Sequence, residues 1–342
     1  MTAPPQTWLI TGGAGFIGSA LVHAAVSQGH RVVVLDKLTY AGHRQNLEWI
    51  DGPWELVVAD VADAAAVRAV FAQHSFDAVI HAAAESHVDN SIAGAEAFIR
   101  ANVLGTQVLL DAALAQWQAR GKPEHFRYLQ ISTDEVYGAL GATGHFTLDS
   151  PLAPNSPYAA SKASADLLVR AWHRTHGLPT LITRCCNNYG PRQHPEKLIP
   201  RMISNALAGQ PLPVYGDGQQ MREWIHVDDH AAGVLATLAR ASVGSITHLG
   251  SGVESRNLDL VHRVCDELAQ CESGRDYRAL ITHVTDRLGH DFRYALDVAP
   301  TAQAIGFAAR IGFDAGIRQT VQWYVEHPQW IATMLAHQQA QA

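Results

Sequence analysis

Short apolar runs alternate with helical patterns along the first half of the chain. The runs that predict strands cover residues 7–11, 31–36, 54–59, 77–82 and 126–132. The segments that predict helices are rich in Ala, Leu and Val and cover residues 16–28, 64–74 and 92–120. Nearly continuous apolar strands separated by helices indicate a parallel sheet that is covered on both faces. We therefore predict an α/β fold with a doubly wound parallel sheet of the Rossmann type.

The second half of the chain has a different pattern. Turn-forming residues become frequent at 187–191 and 209–218, and helical patterns return at 197–208, 227–240 and 258–270. This change predicts a second, smaller α/β domain over the edge of the sheet, with the chain crossing between the two. We expect the first domain to comprise residues 1–184 plus 223–250 and the second 185–222 plus 251–335, followed by a frayed tail at 336–342.

Composition and charge narrow the class of protein. The chain has 342 residues, 47% hydrophobic and 17% charged, which is typical of a packed globular protein. A formal charge of −7 argues against nucleic acid or an anionic membrane as the main partner. We find no run of about 18 apolar residues and no signal-peptide pattern at the start. Four cysteines, none of them in a Cys-x-x-Cys pair, indicate reduced thiols, so we expect a cytoplasmic location and no membrane partner.

A glycine-rich turn directly follows the first predicted strand. Gly13-x-Gly15-x-x-Gly18 opens the next helix, and Gly12 gives the variant with three spacers. Glycine permits the tight turn, the approach of the backbone to a pyrophosphate and close helix–strand packing. Asp36 ends the second strand 18 residues after Gly18, where an acid binds ribose hydroxyls and repels a 2′-phosphate.

NAD is therefore the expected cofactor, although Lys37 beside the acid keeps NADP open. Asp60 ends the third strand, where it either reaches the adenine or lies at the surface. The predicted cofactor-binding residues are Gly12, Gly15, Phe16, Ile17, Gly18, Asp36, Lys37, Asp60, Val61, Ala82, Ala84, Tyr158 and Lys162.

Tyr158 and Lys162 are four residues apart after Ser156-Pro157, a pair that is typical of a helix start. The spacing puts both side chains on one helix face. A phenol ordinarily titrates near pH ~10, but a neighbouring ammonium and a nicotinamide charge favour the phenolate. Such a phenolate can take a hydroxyl proton while hydride leaves the same carbon.

Thr133, Asp134 and Glu135 follow the fifth predicted strand, at the edge of the sheet where ligands gather. Two adjacent carboxyl groups there suggest an acid/base pair whose pKa values are pushed apart. The alternatives are a solvated loop or an acidic first turn of a helix.

These motifs together resemble the extended short-chain dehydrogenase/reductase superfamily and, within it, the dTDP-glucose 4,6-dehydratases. The resemblance is carried by residues 11–19, 82–89, 132–138, 158–162, 186–191, 195–200, 213–218, 222–224 and 286–294. It implies oxidation of C4 of the sugar by NAD with Tyr158 and Lys162, then removal of the C5 proton by Glu135. Asp134 would protonate the leaving 6-hydroxyl, hydride would return to C6, and Thr133 would bind near O4.

The resemblance also implies a nucleotide-sugar site in the smaller domain, with dTDP-glucose as substrate, and a homodimer formed by the long helix and the Tyr158 helix. The implied substrate-binding residues are Ser86, Thr133, Asn188, Glu196, Lys197, Leu198, Tyr215, Arg222, Asn257, Arg287 and His290. Arg192 stands where the family usually has an aromatic residue, and we expect it to add an anion contact or alter the sugar pocket.

Other functions stay open on the sequence alone. His226-x-x-x-His230 has the spacing of helical metal ligands but lacks an evident third ligand, so no metal is predicted. A 4,6-dehydratase of another nucleotide sugar would use the same residues. A sugar-nucleotide 4-epimerase needs Tyr158 and Lys162 but has no use for Asp134 and Glu135. A non-catalytic dinucleotide sensor would not need the Tyr/Lys pair.

Overall fold

The computed structural model describes residues 4–272 and 274–341. Its strands are β1 (Thr7–Thr11), β2 (Arg31–Asp36), β3 (Trp54–Val58), β4 (Ala78–His81), β5 (Arg127–Thr133), β6 (Thr180–Cys185), β7 (Asn187–Tyr189), β8 (Leu212–Tyr215), β9 (Met221–His226), β10 (Ile246–Leu249), β11 (Glu254–Arg256) and β12 (Ile281–Val284). Its α-helices are α1 (Phe16–Ser27), α2 (Ala64–Gln73), α3 (Val88–Ala93), α4 (Glu96–Phe98), α5 (Gly105–Ala119), α6 (Pro157–His176), α7 (Leu198–Leu207), α8 (Val227–Arg240), α9 (Asn257–Cys271), α10 (Ala299–Ile305), α11 (Phe313–Glu326) and α12 (Pro328–Gln341). Short 3₁₀ turns lie at Arg44–Asn46, Asp134–Tyr137 and Tyr277–Leu280, and a π-helical segment lies at Ile99–Leu104.

The main sheet has seven parallel strands in the order β10-β6-β5-β4-β1-β2-β3. Successive strand residues point to opposite faces, so Leu9 and Val33 pack in one core while Ile10 and Val34 pack in the other. α1 and α8 contact each other on the second of these faces, and α2 and α5 contact each other on the first. The predicted doubly wound α/β fold is confirmed. The order in which the strands are added to the sheet reverses between β1 and β4, and this switch places a crevice at the carboxyl ends of the strands.

Two small sheets and a third core lie beyond the main sheet. One sheet has the order β11-β9-β7 and the other pairs β12 with β8. Residues of α7, α9, α11 and α12 pack together there, with Tyr324 and Ile317 fully buried. β9 runs from Met221 to His226 and therefore spans the boundary predicted between residues 222 and 223. The division into two discontinuous domains stays a prediction.

The segment predicted as one helix over residues 92–120 is divided. α3 ends at Ala93 because Gly94 is extended (φ −165°, ψ 113°), and helix then resumes from Glu96 through the π-helical segment into α5. By length and composition alone, Glu96–Ala119 is long and apolar enough to cross a membrane, although charged and polar residues interrupt it. Half of its most apolar window is buried, and α5 packs against α2 and α6 as a core helix does.

The predicted frayed tail was also wrong over residues 336–341. α12 continues to Gln341 because Trp330, Ile331 and Met334 anchor it in the third core. The indole of Trp330 donates to the Asn46 side chain (3.0 Å), which ties this helix to the loop after β2. Ala342 lies outside the described residues.

Candidate active site

The glycine turn between β1 and α1 has no room for side chains. Gly12 has φ +69°, and a Cβ there would lie 2.6 Å from the backbone of Ala83. A Cβ on Gly18 would lie 1.9 Å from the Gly12 carbonyl oxygen, which explains the close contact between turn and helix. Gly15 precedes α1 without a side-chain cap, so the first amides of the helix point toward the crevice as a phosphate site requires.

Asp36 at the end of β2 holds this turn together. Its carboxylate accepts hydrogen bonds from the amides of Ala14 (2.9 Å) and Leu38 (2.8 Å), and burial raises its pKa. Asp60 is ion-paired with Lys37 (3.3 Å) and Arg100 (3.7 Å). Burial opposes the shift, but the Ala62 amide and these two cations hold the Asp60 pKa below its ordinary value.

A cavity of about 380 Å³ opens at this edge of the sheet. Every predicted cofactor-binding residue lines it, from the glycine turn through Asp36, Lys37, Asp60 and Val61 to Ala82, Ala84, Tyr158 and Lys162. Thr133, Asp134 and Glu135 line the same cavity. The structure therefore brings together the predicted redox pair and the predicted acid/base pair, although their roles stay predictions.

The predicted acid/base pair lies in the 3₁₀ turn that follows β5. Asp134 is 1% exposed and its Oδ1 accepts a hydrogen bond from the Thr133 hydroxyl (3.2 Å). Burial and the carboxyls of Glu135 and Glu223 raise the Asp134 pKa well above its ordinary value. Burial also raises the Glu135 pKa, but Arg222, Lys197 and Arg287 oppose that rise. Burial and the neighbouring carboxyls thus favour the protonated form of Asp134, whereas three cations partly offset the same effect of burial on Glu135.

Tyr158 and Lys162 lie on α6, which begins as predicted. Ser156 caps the helix by accepting from the Ala159 amide (3.1 Å), with Pro157 in its first turn. Within the chain itself, burial and the Glu135 carboxyl raise the Tyr158 pKa, and the Thr133 hydrogen bond opposes them. Lys162 donates a hydrogen bond to the Ile131 carbonyl (2.7 Å). The expected lowering of the phenol pKa includes the nicotinamide charge and stays a prediction.

A second cavity of about 210 Å³ adjoins the first. Of the implied substrate-binding residues, all but Thr133 line it, namely Ser86, Asn188, Glu196, Lys197, Leu198, Tyr215, Arg222, Asn257, Arg287 and His290. Glu135 lines both cavities, as do Ser86, Asn188, Glu196 and Lys197. A ligand that fills the second cavity therefore reaches the carboxyl pair in the first.

Several of these side chains are held by neighbours that the sequence analysis missed. Asp89 accepts a hydrogen bond from the Tyr215 hydroxyl (3.2 Å) and faces the Arg287 guanidinium (3.6 Å). That guanidinium also lies over the Tyr215 ring, 4.9 Å from its centre. Asp89 belongs to residues 82–89, which carry the family resemblance, but the sequence alone assigns it no role. It lies in the first turn of α3, and an acid within that motif was the available signal.

Arg100 was missed for a different reason. It lies in the π-helical segment and lines the first cavity beside Asp60. It is an isolated charge in an otherwise apolar helical pattern, and that isolation was the available signal.

Arg222 stands at the second cavity but donates to backbone oxygens. Its guanidinium bonds the carbonyls of Met221 (2.7 Å) and Asp291 (2.9 Å) and lies over the Tyr294 ring. Lys197 donates to the Ser86 carbonyl (2.8 Å), which joins the two walls of the crevice.

The structure also places Arg192 and His226 outside both cavities. Arg192 was expected at the sugar pocket, but it is not among the described residues that line either cavity. Its guanidinium lies over the ring of Trp49 (3.8 Å), away from the crevice. His226 caps α8 by accepting from the Asp228 amide (3.3 Å). Within residues 4–272 and 274–341, no cluster of three His, Cys, Asp or Glu side chains could hold a metal ion.

Comparisons with known proteins agree with this arrangement. The family model described as GDP-mannose 4,6 dehydratase matches residues 9–320. A dTDP-glucose 4,6-dehydratase of Xanthomonas campestris pv. campestris (strain B100) is 48% identical over 96% of both chains. The dTDP-glucose 4,6-dehydratase 1 of Escherichia coli (strain K12) is 48% identical over 94% of both chains. The crystal structure of DesIV (dTDP-glucose 4,6-dehydratase) from Streptomyces venezuelae, with NAD and TYD bound, is 46% identical, with a TM-score of 0.89 over 96% of this chain and 99% of that one. The chain therefore belongs to the nucleotide-sugar 4,6-dehydratase family that the model describes, and within that family it is similar to dTDP-glucose 4,6-dehydratases.

Proposed function

We propose that this protein is an NAD-dependent dTDP-glucose 4,6-dehydratase, a lyase that converts dTDP-glucose to dTDP-4-keto-6-deoxyglucose. The observation that carries the proposal is the pair of buried carboxyls, Asp134 and Glu135, in one cavity with Tyr158 and Lys162. The similarity to named dehydratases at 48% identity supports the substrate. An epimerase is disfavoured because it has no step that uses an acid and a base beside C5 and C6.

The cavity of about 380 Å³ is the proposed NAD site. The glycine-rich turn fits a pyrophosphate, and the Asp36 carboxylate ends β2 where ribose hydroxyls bind. When bound, NAD supplies the acceptor for the C4 hydride, the donor of hydride to C6 and a positive ring charge that favours the Tyr158 phenolate. Because the hydride returns, no external reductant is consumed.

Each residue of the site then has one task. Tyr158 accepts the proton of the 4-hydroxyl, and Thr133 binds near O4. Glu135 removes the C5 proton, which the 4-ketone makes acidic, and C5 is reprotonated when hydride returns to C6. Asp134 keeps its proton through burial and donates it to the departing 6-hydroxyl. Lys162 orients the base from the same face of α6.

The second cavity is the proposed nucleotide-sugar site. Arg287 and His290 approach it from one segment, Asn188 and Lys197 from another, and Tyr215 from β8. Residues 185–222 plus 251–335 would thus form the substrate domain, and residues 1–184 plus 223–250 the NAD domain. Arginine suits the diphosphate because its planar fork can donate two parallel hydrogen bonds.

Two broader proposals concern the whole chain. We infer a homodimer because apolar side chains are exposed on neighbouring helices α3 to α6. We also infer a cytoplasmic location, which the four free cysteines support.

The decisive experiment is incubation with dTDP-glucose and no added reductant, followed by the product mass. We expect loss of one water, and a roughly 10²–10⁴-fold slower reaction in Glu135→Gln, because the C5 base is gone. Glu124→Gln, an exposed loop residue, is the matched control and should keep full activity.

The same incubation with UDP-, CDP- and GDP-sugars distinguishes the alternative substrates and reactions. Water loss from one of them alone would reassign the substrate. Isomerisation without a change in mass would indicate an epimerase. An unchanged dTDP-glucose contradicts the proposal.

A further inference from the structure

Four buried polar side chains form a continuous chain of hydrogen bonds behind the site. Arg184 donates from Nε to Asp166 (2.9 Å) and from Nη1 to the Tyr137 hydroxyl (2.7 Å). That hydroxyl lies 2.6 Å from Nε2 of His248, whose Nδ1 lies 3.0 Å from the Asp297 carbonyl oxygen. Asp166, Arg184, Tyr137 and His248 are each at most 4% exposed.

The partners determine the direction of every bond in this chain. A carbonyl oxygen can only accept, so Nδ1 of His248 donates to Asp297. Nε2 of the neutral ring must then accept from Tyr137, whose oxygen accepts in turn from Arg184. Burial lowers the His248 pKa to about 4, so the ring is neutral at physiological pH. The hydrogen-bonded chain therefore has one arrangement, which makes it rigid.

Two members of this hydrogen-bonded chain lie on the two elements that carry the proposed chemistry. Tyr137 ends the 3₁₀ turn that begins with Asp134. Asp166 is one turn beyond Lys162 on α6. Arg184, on β6, touches both and also lies over the Tyr137 ring, 4.7 Å from its centre. Burial lowers the Lys162 pKa, and the charge of Asp166 opposes this and favours the ammonium.

We propose that Arg184 and Tyr137 are positioning residues that fix the acid/base turn relative to the helix of the redox pair. The inference rests on the proposed function. A two-stage reaction needs one sugar to meet Tyr158 at C4 and Glu135 at C5 without leaving the site. A guanidinium bonded to both elements holds these groups at a constant separation, and a misplacement of about 1 Å can slow a reaction about 10²-fold.

Tyr137→Phe tests the inference, because it removes the shared hydroxyl and keeps the ring. We expect kcat to fall roughly 10–100-fold with KM changed less than about twofold. Enzyme-bound NADH, followed at its absorbance, should accumulate, since C4 oxidation continues while elimination slows. Tyr277→Phe is the matched control: its buried ring also loses its hydroxyl, which donates to Glu272 (3.0 Å), but it lies in the third core. It should keep wild-type kcat.

Arg184→Lys provides a second variant in case Tyr137→Phe does not fold. It keeps the charge opposite Asp166 but cannot bond both partners through a fork, so NADH should again accumulate. Wild-type kcat in either variant, or an equal loss of kcat in Tyr277→Phe, overturns the inference and leaves the proposed function intact. A wild type that releases no water from dTDP-glucose overturns both.

Discussion

Asp134, the proposed catalytic acid, shows at the scale of one residue how burial favours a protonated carboxyl. Its Oδ1 is bonded by Thr133, while its Oδ2 is buried with no hydrogen-bond partner among the described residues. Burial first, then the carboxyls of Glu135 and Glu223, raise its pKa. A group that binds its proton more tightly in the folded state destabilises the fold as pH rises above the unfolded pKa, near ~3.9.

We therefore predict that Asp134→Asn is more stable than wild type at neutral pH, although it loses activity. The amide keeps the shape and the contact with Thr133 but cannot ionise. The gain in melting temperature should be a few degrees, of the order of 1 kcal/mol, at pH 8 and should vanish near pH 4. Thermal unfolding between these values measures it, with the exposed Asp149→Asn as control. A less stable variant at pH 8 would contradict the argument.

At the scale of elements, Arg192 joins two helical regions. Its guanidinium lies between the rings of Trp49 (3.8 Å) and Trp323 of α11 (5.2 Å). Burial lowers its pKa to about 10, which leaves it charged at neutral pH. The next residue, Gln193, lines the first cavity and accepts a bond from Tyr324 of α11 (2.6 Å). The Trp49–Arg192–Trp323 contact thus fixes α11 and the wall of the cavity together.

Loss of this contact should be measurable. We predict that Arg192→Ala lowers the free energy of unfolding by ~1–2 kcal/mol, the size of a partly desolvated cation–π contact. Backbone strain at φ +67° is the same for both residues, so it does not confound the comparison. The melting temperature and tryptophan fluorescence report the change.

Arg31→Ala is the control for this prediction. It removes only an exposed ion pair with Glu55, which should change stability by less than about 1 kcal/mol. Equal losses of stability in the two variants would contradict the prediction, because the contact of Arg192 with the rings of Trp49 and Trp323 would then contribute no more than an exposed ion pair.

At the scale of the whole molecule, one surface bears unusual apolar exposure. Ile92, Ile99, Leu104 and Leu167 are 40%, 50%, 39% and 54% exposed. They lie on α3, the π-helical segment and α6, and α6 contacts the other two. Clustered apolar side chains on packed helices are what a second copy of the chain would cover.

We predict that Leu167→Asp shifts the mass in light scattering from that of two chains to that of one, because a buried carboxylate is costly. Val243→Asp is the matched control, an apolar residue 40% exposed in the loop between α8 and β10. A wild type with the mass of one chain, or a Leu167→Asp variant that stays dimeric, contradicts the proposal.

Much of the fold and of the site could be predicted before the structure. The five strands of the first half lie within one residue of their predicted ends, because an apolar run records burial on both faces. Gly12 to Gly18, Asp36 and Ser156 could be assigned because each satisfies a local backbone requirement. The predicted site residues all line the two cavities, since the ends of parallel strands meet at one edge.

By itself, the sequence determined what depends on neighbours along the chain: the period of each element, the turns that need glycine and the residue types of the site. Tertiary structure alone decided which distant groups meet. Arg192 faces two tryptophans rather than a phosphate, α12 is held by Asn46, and Arg184 joins Tyr137 to Asp166. These contacts, and the burial that separates the Asp134 pKa from its ordinary value, arise from packing between segments far apart in sequence, which no local pattern encodes.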